Sequence, residues 1–124
     1  MNAEKDFVVE KDFNKSFYVL ATATQLFFSL SVPGKARFVL THFANYLNIL
    51  TAWGSITWMI KINGVGVYPY DTLKDQYGYA AEPRPIAPVE VNGGDLFTIE
   101  AKNDFSATVG IGVAFRYHIK KETE

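Results

Sequence analysis

Apolar and polar residues alternate with a period of two along most of the chain. The alternation is clearest in four segments, 25–32, 55–62, 97–102 and 108–120. Successive side chains of a β-strand point to opposite faces of a sheet, so this period is typical of strands with one buried face. No segment has an apolar stripe with the 3.6-residue period of a helix. The pattern therefore predicts an all-β protein.

Turn residues separate the predicted strands. Asn63-Gly64 suits the type I′ turn of a hairpin, because both of its central positions require a positive φ. Pro33-Gly34 and Gly93-Gly94 mark two further turns. They help to divide the chain into eight strands, at 16–21, 25–32, 36–47, 53–62, 65–68, 86–91, 96–102 and 107–120. We predict a single antiparallel β-sandwich, most simply an eight-stranded jelly roll. An immunoglobulin-like sandwich is the alternative, although the cysteine pair typical of that fold is missing.

The length of 124 residues predicts one domain with its own core. We place the sandwich at residues 16–120, after an N-terminal arm (1–15) and before a short C-terminal tail (121–124). The inward positions of the four clearest strands predict the centre of the core: Phe28, Trp58, Ile60, Phe97, Ile99, Val113 and Phe115. The same alternation places Phe27 and Val39 on outward faces.

Composition and charge exclude several classes of function. A net charge of −1 and a pI near 6.1 give no electrostatic basis for binding nucleic acid or an anionic membrane. The absence of cysteine excludes disulfides and thiolate chemistry. The first residues lack the apolar run of a signal peptide or a membrane span, so we expect synthesis in a cytoplasm.

Catalytic and cofactor motifs are not found in the sequence. The only two histidines, His42 and His118, lie far apart and form no metal-binding spacing. The sequence has no nucleophile elbow, P-loop or dinucleotide fingerprint. The carboxylates Asp71, Asp75 and Glu82 do not have the spacing of an EF-hand. We therefore expect neither an enzyme nor a bound cofactor.

One long segment, residues 67–85, has no strand or helix period and is rich in tyrosine and proline. Connections in compact domains are usually about 4–6 residues long, and longer ones are commonly functional or disordered. Rigid aromatic rings combined with arginine are typical of binding hot spots. We predict that this segment docks a partner through Tyr68, Tyr70, Asp75, Tyr77, Tyr79 and Arg84. The alternative is that it folds back as a lid over one end of the sandwich, and the two interpretations are compatible.

Small residues occupy the outward face of the last strand, at Gly110, Gly112 and Ala114. Glycine within a strand often marks close approach by another surface. Together with Phe7 and Phe13 of the predicted arm, these residues predict the contacts of a closed homo-oligomer, a dimer or a trimer. The alternative is that a second layer of the same chain covers this face.

The order of strands and turns resembles that of the small β-sandwich virion proteins of tailed bacteriophages. The likeness spans residues 25–119 and is carried by VPGKARFVLTHFANYL, WGSITWMIKINGVGVYPYD, VEVNGGDLFTIEAKN and VGIGVAFRYHI. It implies a non-enzymatic capsid decoration, or cement, protein that binds the major capsid protein or another virion protein. It also implies a location on the capsid surface after synthesis in the host cytoplasm. The alternative function is a carbohydrate-binding or receptor-binding sandwich, in which Trp53 and Tyr77 or Tyr79 stack on sugar rings.

Overall fold

Two four-stranded antiparallel sheets face each other in the computed structural model, which describes residues 6–122 and the side chains of residues 11–121. The eight strands are β1 (Asp6–Val19), β2 (Thr24–Ser31), β3 (Ala36–Leu47), β4 (Ile56–Ile62), β5 (Val65–Gly66), β6 (Arg84–Asn92), β7 (Leu96–Asn103) and β8 (Val109–Glu122). A short 3₁₀ turn at Leu50–Ala52 lies between β3 and β4. The predicted all-β sandwich is confirmed.

The strand order identifies the type of sandwich. We call the sheet with the order β1-β8-β3-β6 sheet A, and the sheet with the order β2-β7-β4-β5 sheet B. Every connection except the β4–β5 hairpin crosses from one sheet to the other. Eight antiparallel strands in two such sheets form a jelly roll, as predicted. The Asn63-Gly64 turn of the hairpin is also confirmed, with φ values of 53° and 80°.

The first strand begins earlier than the sequence predicts. β1 pairs with β8 from Asp6 opposite Glu122 to Val19 opposite Val109. Residues 6–15 therefore belong to the sandwich and not to a separate arm, and β8 continues into the predicted tail. Charged residues such as Lys11 and Lys15 hid the strand pattern. They are tolerated because β1 is the edge strand of sheet A, where charge also discourages pairing with other chains.

The core lies between the sheets at the predicted positions. Six of the seven predicted residues are completely buried: Trp58, Ile60, Phe97, Ile99, Val113 and Phe115. The seventh, Phe28, is partly buried, and its ring contacts the rings of Phe13, Phe38, Phe97, Phe115 and Tyr117. Aromatic pairs of this kind stabilise a core beyond the area that they bury.

One of the two outward assignments is wrong. Phe27 is only 5% exposed, because a bulge between Leu26 and Phe28 shifts the register of β2 and turns this residue inward beside Phe28. Its ring meets that of Phe17 edge to face, with centroids 5.2 Å apart. Val39 lies on the predicted outer face, since Phe38 and Leu40 on either side of it belong to the core cluster and Val39 does not, but it too is buried. It lies on a middle strand, where residues of β6 and β8 flank it on both sides.

Candidate functional site

The connection between β5 and β6, residues 67–83, closes one side of the sandwich; we call it the β5–β6 loop. Its first part follows the edge of sheet B, where Trp58 exchanges two backbone hydrogen bonds with Leu73 at 2.8 and 3.1 Å. Its second part reaches sheet A, where the backbone N–H of Asn45 donates to the Tyr77 carbonyl at 3.1 Å. The loop therefore bridges the two sheets through main-chain atoms.

Asn45 holds the loop from inside the sandwich. A bulge between Leu40 and His42 shifts the register of β3, and Asn45 is completely buried. Its side-chain Nδ2 donates to the Asp75 carbonyl at 3.0 Å, and its Oδ1 accepts from the Tyr77 N–H at 2.7 Å. Sequence reasoning missed this residue. The available signal was a lone amide within the apolar run of β3, but the bulge that buries it cannot be read from the alternation.

Two of the predicted docking tyrosines belong to the framework of the loop. The Tyr77 hydroxyl donates to the Pro85 carbonyl at 2.7 Å, and the guanidinium of Arg84 lies 4.9 Å from the centre of the Tyr77 ring. Burial raises the pKa of Tyr77 above its ordinary value of 10.0; Tyr70 adds to the rise and Arg84 opposes it. Tyr70 packs edge to face on Tyr77, and its hydroxyl accepts from the Ala87 N–H at 3.3 Å. For these two residues the lid interpretation describes the structure.

The other four predicted docking residues are more accessible. Tyr68 is 87% exposed and Tyr79 is 68% exposed. Asp75 and Arg84 are exposed as well, although the Asp75 carbonyl binds Asn45. Tyr68 lies apart from the rest, because the preceding residue is hydrogen-bonded to β4 of sheet B. The structure thus brings Asp75, Tyr79 and Arg84 to the sheet A side of the loop and leaves Tyr68 on the sheet B side.

A tight hairpin, residues 79–82, lies above the outer face of sheet A. Tyr79 and Glu82 close it with two backbone hydrogen bonds of 3.3 and 2.9 Å. The hairpin starts at Gly78, whose φ is 65° and where a Cβ would lie 2.9 Å from the Phe43 carbonyl oxygen, so glycine is required. Its residues share a pocket with β1 and β8 residues that include Asp12 and Ala114.

A groove of about 730 Å³ lies between the hairpin, the start of β6 and the outer face of sheet A. Its polar side chains are His42, Gln76, Glu82, Arg84 and Arg116, and Tyr79 and two prolines add apolar surface. Ligand sites commonly have volumes of about 300–1,000 Å³ and combine apolar walls with a few polar groups. The groove therefore has the size and the mixed lining of a small-molecule site.

Hydrogen bonds fix two of the groove side chains. The Thr41 hydroxyl donates to the Arg116 carbonyl at 3.2 Å, so its oxygen accepts Nδ1–H of His42 at 2.8 Å. Because Nδ1 of His42 is bonded to Thr41, Nε2 is the ring nitrogen that can contact a ligand in the groove. The Arg116 Nε donates to the Asp12 carboxylate at 2.8 Å. The sequence does not indicate that His42 and Arg116 share a groove, because β3, β8 and the hairpin bring them together from distant parts of the chain.

The small residues of β8 are covered by their own chain. The ring of Tyr46 crosses Gly112, where a Cβ would lie 2.1 Å from ring carbons, and the Tyr46 hydroxyl donates to Asn14 on β1. The Asn48 side chain lies over Gly110 and accepts its N–H at 2.8 Å. Ala114 is also buried. These contacts agree with the alternative interpretation of this face, in which residues of the same chain cover it.

Phe13 of the predicted oligomer contact is also engaged within the chain. Phe13 packs into its own core, with its ring centroid 4.8 Å from that of Phe115. The side chain of Phe7 lies outside the described side chains. The homo-oligomer stays a prediction, but the residues that motivated it are engaged within the chain wherever their side chains are described.

Of the rings predicted to stack on sugars, Trp53 with Tyr77 or Tyr79, two contact neighbours within the chain. The Trp53 ring packs on that of Trp58, with centroids 5.4 Å apart, and Arg84 covers Tyr77. Of the three rings considered, Tyr79 is the exposed one. Within residues 6–122 no cluster of three or more His, Asp or Glu residues has the geometry to hold a metal ion. In the same part of the chain, no helix has the length and apolar character needed to cross a bilayer.

Comparisons with known proteins give little further information. No protein-family model matches the chain, and no curated protein matches it by sequence. One similar solved structure is titled "Bacillus endospore appendages form a novel family of disulfide-linked pili". It is 12% identical, the match covers 96% of this chain and 91% of that chain, and the TM-score is 0.33. A TM-score of this size does not establish a common fold.

Proposed function

We propose that this protein is a non-enzymatic structural protein that docks on the surface of an assembled phage capsid, as a decoration protein. The observation that carries the proposal is an exposed apolar end of the sandwich. Tyr18, Leu20 and Leu50 are 78%, 67% and 78% exposed. Large apolar side chains that gather at one surface commonly mark a protein interaction site. We call these three residues the apolar end.

Strand pairing places these side chains near one another. Tyr18 lies opposite Gly110 on β8, and Asn48 donates its N–H to the Gly110 carbonyl from the β3 side. Leu20 and Leu50 follow two residues after Tyr18 and Asn48, so they leave sheet A at the same end. The three side chains therefore surround the end of the sandwich at which β8 begins.

The apolar end has a rigid base. Asn103 is completely buried and its Nδ2 donates to the carbonyls of Val19 and Ala107, each at 2.9 Å. Its Oδ1 accepts the Phe105 N–H at 2.8 Å. These bonds join the end of β1 to the β7–β8 connection. A rigid surface loses less conformational entropy on binding, and a shell offers many copies of the partner, so modest affinity at each site is sufficient.

The loop residues predicted to dock extend this proposal. Tyr70 and Tyr77 contribute to the fold and present little ring surface. Tyr68 and Tyr79 are exposed enough to contact a partner. We therefore assign the main docking contact to the apolar end, and we expect the loop to contribute through its exposed side chains alone.

The test has two steps. An antibody against the protein should detect it with the particle band when a phage lysate of its source is separated on a density gradient. Purified protein should then sediment with emptied capsids of that phage. Replacing Leu20 and Leu50 by serine should weaken sedimentation by about 30-fold, which corresponds to the usual hot-spot threshold of about 2 kcal/mol.

The matched control is Val65→Ser, which removes an apolar side chain of similar exposure at the opposite end of the sandwich. It should leave sedimentation unchanged. If the protein stays in the soluble fraction of the gradient, or if the control weakens binding as much as the double variant, the proposal is wrong.

A further inference from the structure

We infer that the groove between the 79–82 hairpin and sheet A binds a carboxylate-bearing sugar. This site lies apart from the apolar end and does not depend on capsid docking. It is built from the beginning of β6, the bulged part of β3 and the outer face of β8.

Arg84 is the residue that would take the carboxylate. The ion pairs within the described residues are Arg37–Glu90, Lys61–Glu100, Lys102–Asp104 and Arg116–Asp12, so Arg84 has no carboxylate partner there. Its guanidinium is held over the Tyr77 ring at 4.9 Å. A guanidinium offers a planar pair of donors that matches a carboxylate, and its stacked position reduces the entropy lost on binding.

The charges around the groove favour a ligand with a single negative charge. Arg116 is paired with Asp12 at the edge, and Glu82 is the acidic side chain of the lining. Because Asp12 already binds Arg116, Arg84 offers a single positive charge to a ligand. A carboxylate monoanion matches that charge, whereas a phosphate dianion would bring a second negative charge close to Glu82.

The rest of the lining suits a polyhydroxylated ring. His42, Gln76 and Glu82 place nitrogen and oxygen atoms around the groove that can bind hydroxyl groups. The exposed Tyr79 ring offers a flat apolar surface, which can cover the C–H face of a pyranose. A groove of about 730 Å³ is within the size range of sites for small ligands.

The backbone around the groove argues against an extended peptide as the ligand. Peptides often bind by adding a strand to a free sheet edge. Here β3 is paired on both sides, and β6 is the edge strand of sheet A. Next to the groove this edge is interrupted, because Pro85 has no N–H, its carbonyl accepts from the Tyr77 hydroxyl, and the Ala87 N–H donates to the Tyr70 hydroxyl. The groove therefore offers side chains to a ligand instead of a row of free backbone groups.

The site can be tested by titrating the isotope-labelled protein and following its amide resonances. The probes are D-glucuronic acid, N-acetylneuraminic acid, D-glucose and inorganic phosphate. We expect at least one of the two acidic sugars to shift the resonances of residues 41–43 and 76–85 in a saturable way. Glucose and phosphate should bind at least about tenfold more weakly, since each lacks one of the two recognised features.

Variants identify the residues responsible. Arg84→Gln should weaken binding of the acidic sugar by at least about tenfold. The matched control is Arg37→Gln, which removes an exposed arginine of β3 that pairs with Glu90 and does not line this groove. Tyr79→Ala provides a second test, because this exposed ring can be removed without disturbing Tyr77. It should weaken both acidic and neutral sugars.

Four results would overturn the inference. The first is that neither acidic sugar shifts the resonances at tens of millimolar. The second and third are that glucose, or phosphate, binds as tightly as the acidic sugar. The fourth is that a folded Arg84→Gln variant binds the acidic sugar as tightly as the wild type. Loss of capsid sedimentation with intact sugar binding would refute the proposed function alone. The reverse result would refute the sugar site alone.

Discussion

Removal of the Asn45 side chain should detach the β5–β6 loop from sheet A. Asn45→Ala deletes two hydrogen bonds, to the Asp75 carbonyl and from the Tyr77 N–H. The backbone hydrogen bond from the Asn45 N–H to the Tyr77 carbonyl should remain, because it does not involve the side chain. We therefore expect the loop to loosen between residues 75 and 84 while the two sheets remain folded.

The size of the effect follows from burial. Each hydrogen bond contributes a net ~0.5–1.5 kcal/mol, and a buried polar group left without its partner costs ~1–3 kcal/mol. The Asp75 carbonyl can turn towards water, whereas the Tyr77 N–H is held close to β3. We therefore expect the free energy of unfolding to fall by about 2–4 kcal/mol. For a domain of this size that corresponds to a fall in Tm of roughly 10 °C.

Urea denaturation followed by tryptophan fluorescence measures this change, because Trp58 is buried and Trp53 packs against it. Limited proteolysis under native conditions reports the loop directly, and cleavage should appear between residues 75 and 84. The matched control is Asn48→Ala, which removes an exposed asparagine of the same chain segment with a single side-chain bond, to Gly110. It should cost less than about 1 kcal/mol.

The reasoning would be refuted by an Asn45→Ala protein whose urea midpoint and cleavage pattern both match those of the wild type. A large loss of stability without cleavage in the loop would also contradict it. In that case Asn45 would stabilise the sandwich as a whole, and the loop would be held by its contacts with sheet B.

Three further predictions concern the loop and β8. Gly112→Ala should cost about 1–3 kcal/mol of unfolding free energy, because its Cβ would overlap the ring of Tyr46. Adding Tyr46→Ala should remove that clash. A double-mutant cycle that shows no coupling between the two positions would contradict the contact. Tyr77→Phe should cost about 1 kcal/mol in urea denaturation, whereas Tyr79→Phe should cost almost nothing; equal effects would show that the framework role of Tyr77 is wrong. Burial raises the pKa of both Tyr77 and Tyr117, so the folded state keeps protons that the unfolded state releases. The free energy of unfolding should therefore fall as the pH rises from about 9 to 11. A variant with Phe at both positions that shows the same fall with pH would contradict this.

Most of the fold could be predicted from the sequence, because the alternation of apolar and polar residues within each strand indicates which of its faces is buried. The alternation around Trp58, Phe97 and Phe115 predicts the core, and Asn63-Gly64 predicts the hairpin turn. The alternation gave the wrong face or the wrong strand boundary where a bulge or charged edge residues interrupted it. The bulge at Phe27 turned this residue inward beside Phe28, and the charged edge strand β1 resembled an arm.

The candidate site could be predicted only in part. The composition of residues 67–85 indicated a special segment, and the structure shows that it bridges the two sheets. The contacts that define the groove depend on register between strands distant in sequence. His42 meets Pro85 of β6 on one side and Arg116 of β8 on the other, and a one-residue change of register would separate them. Asn45 was missed for the same reason.

The way in which the loop is anchored makes its tip suitable for diversification. The bonds that hold it to Asn45 and to β4 end on main-chain atoms of residues 67, 70, 73, 75 and 77, which a replaced side chain at the tip would leave in place. The 79–82 tip can therefore change its side chains while its supports remain. The protein also contains no cysteine, so a library randomised at this tip could be expressed in a reducing cytoplasm without mispaired disulfides. The same separation of support from tip would allow natural selection to change what the tip contacts without rebuilding the sandwich.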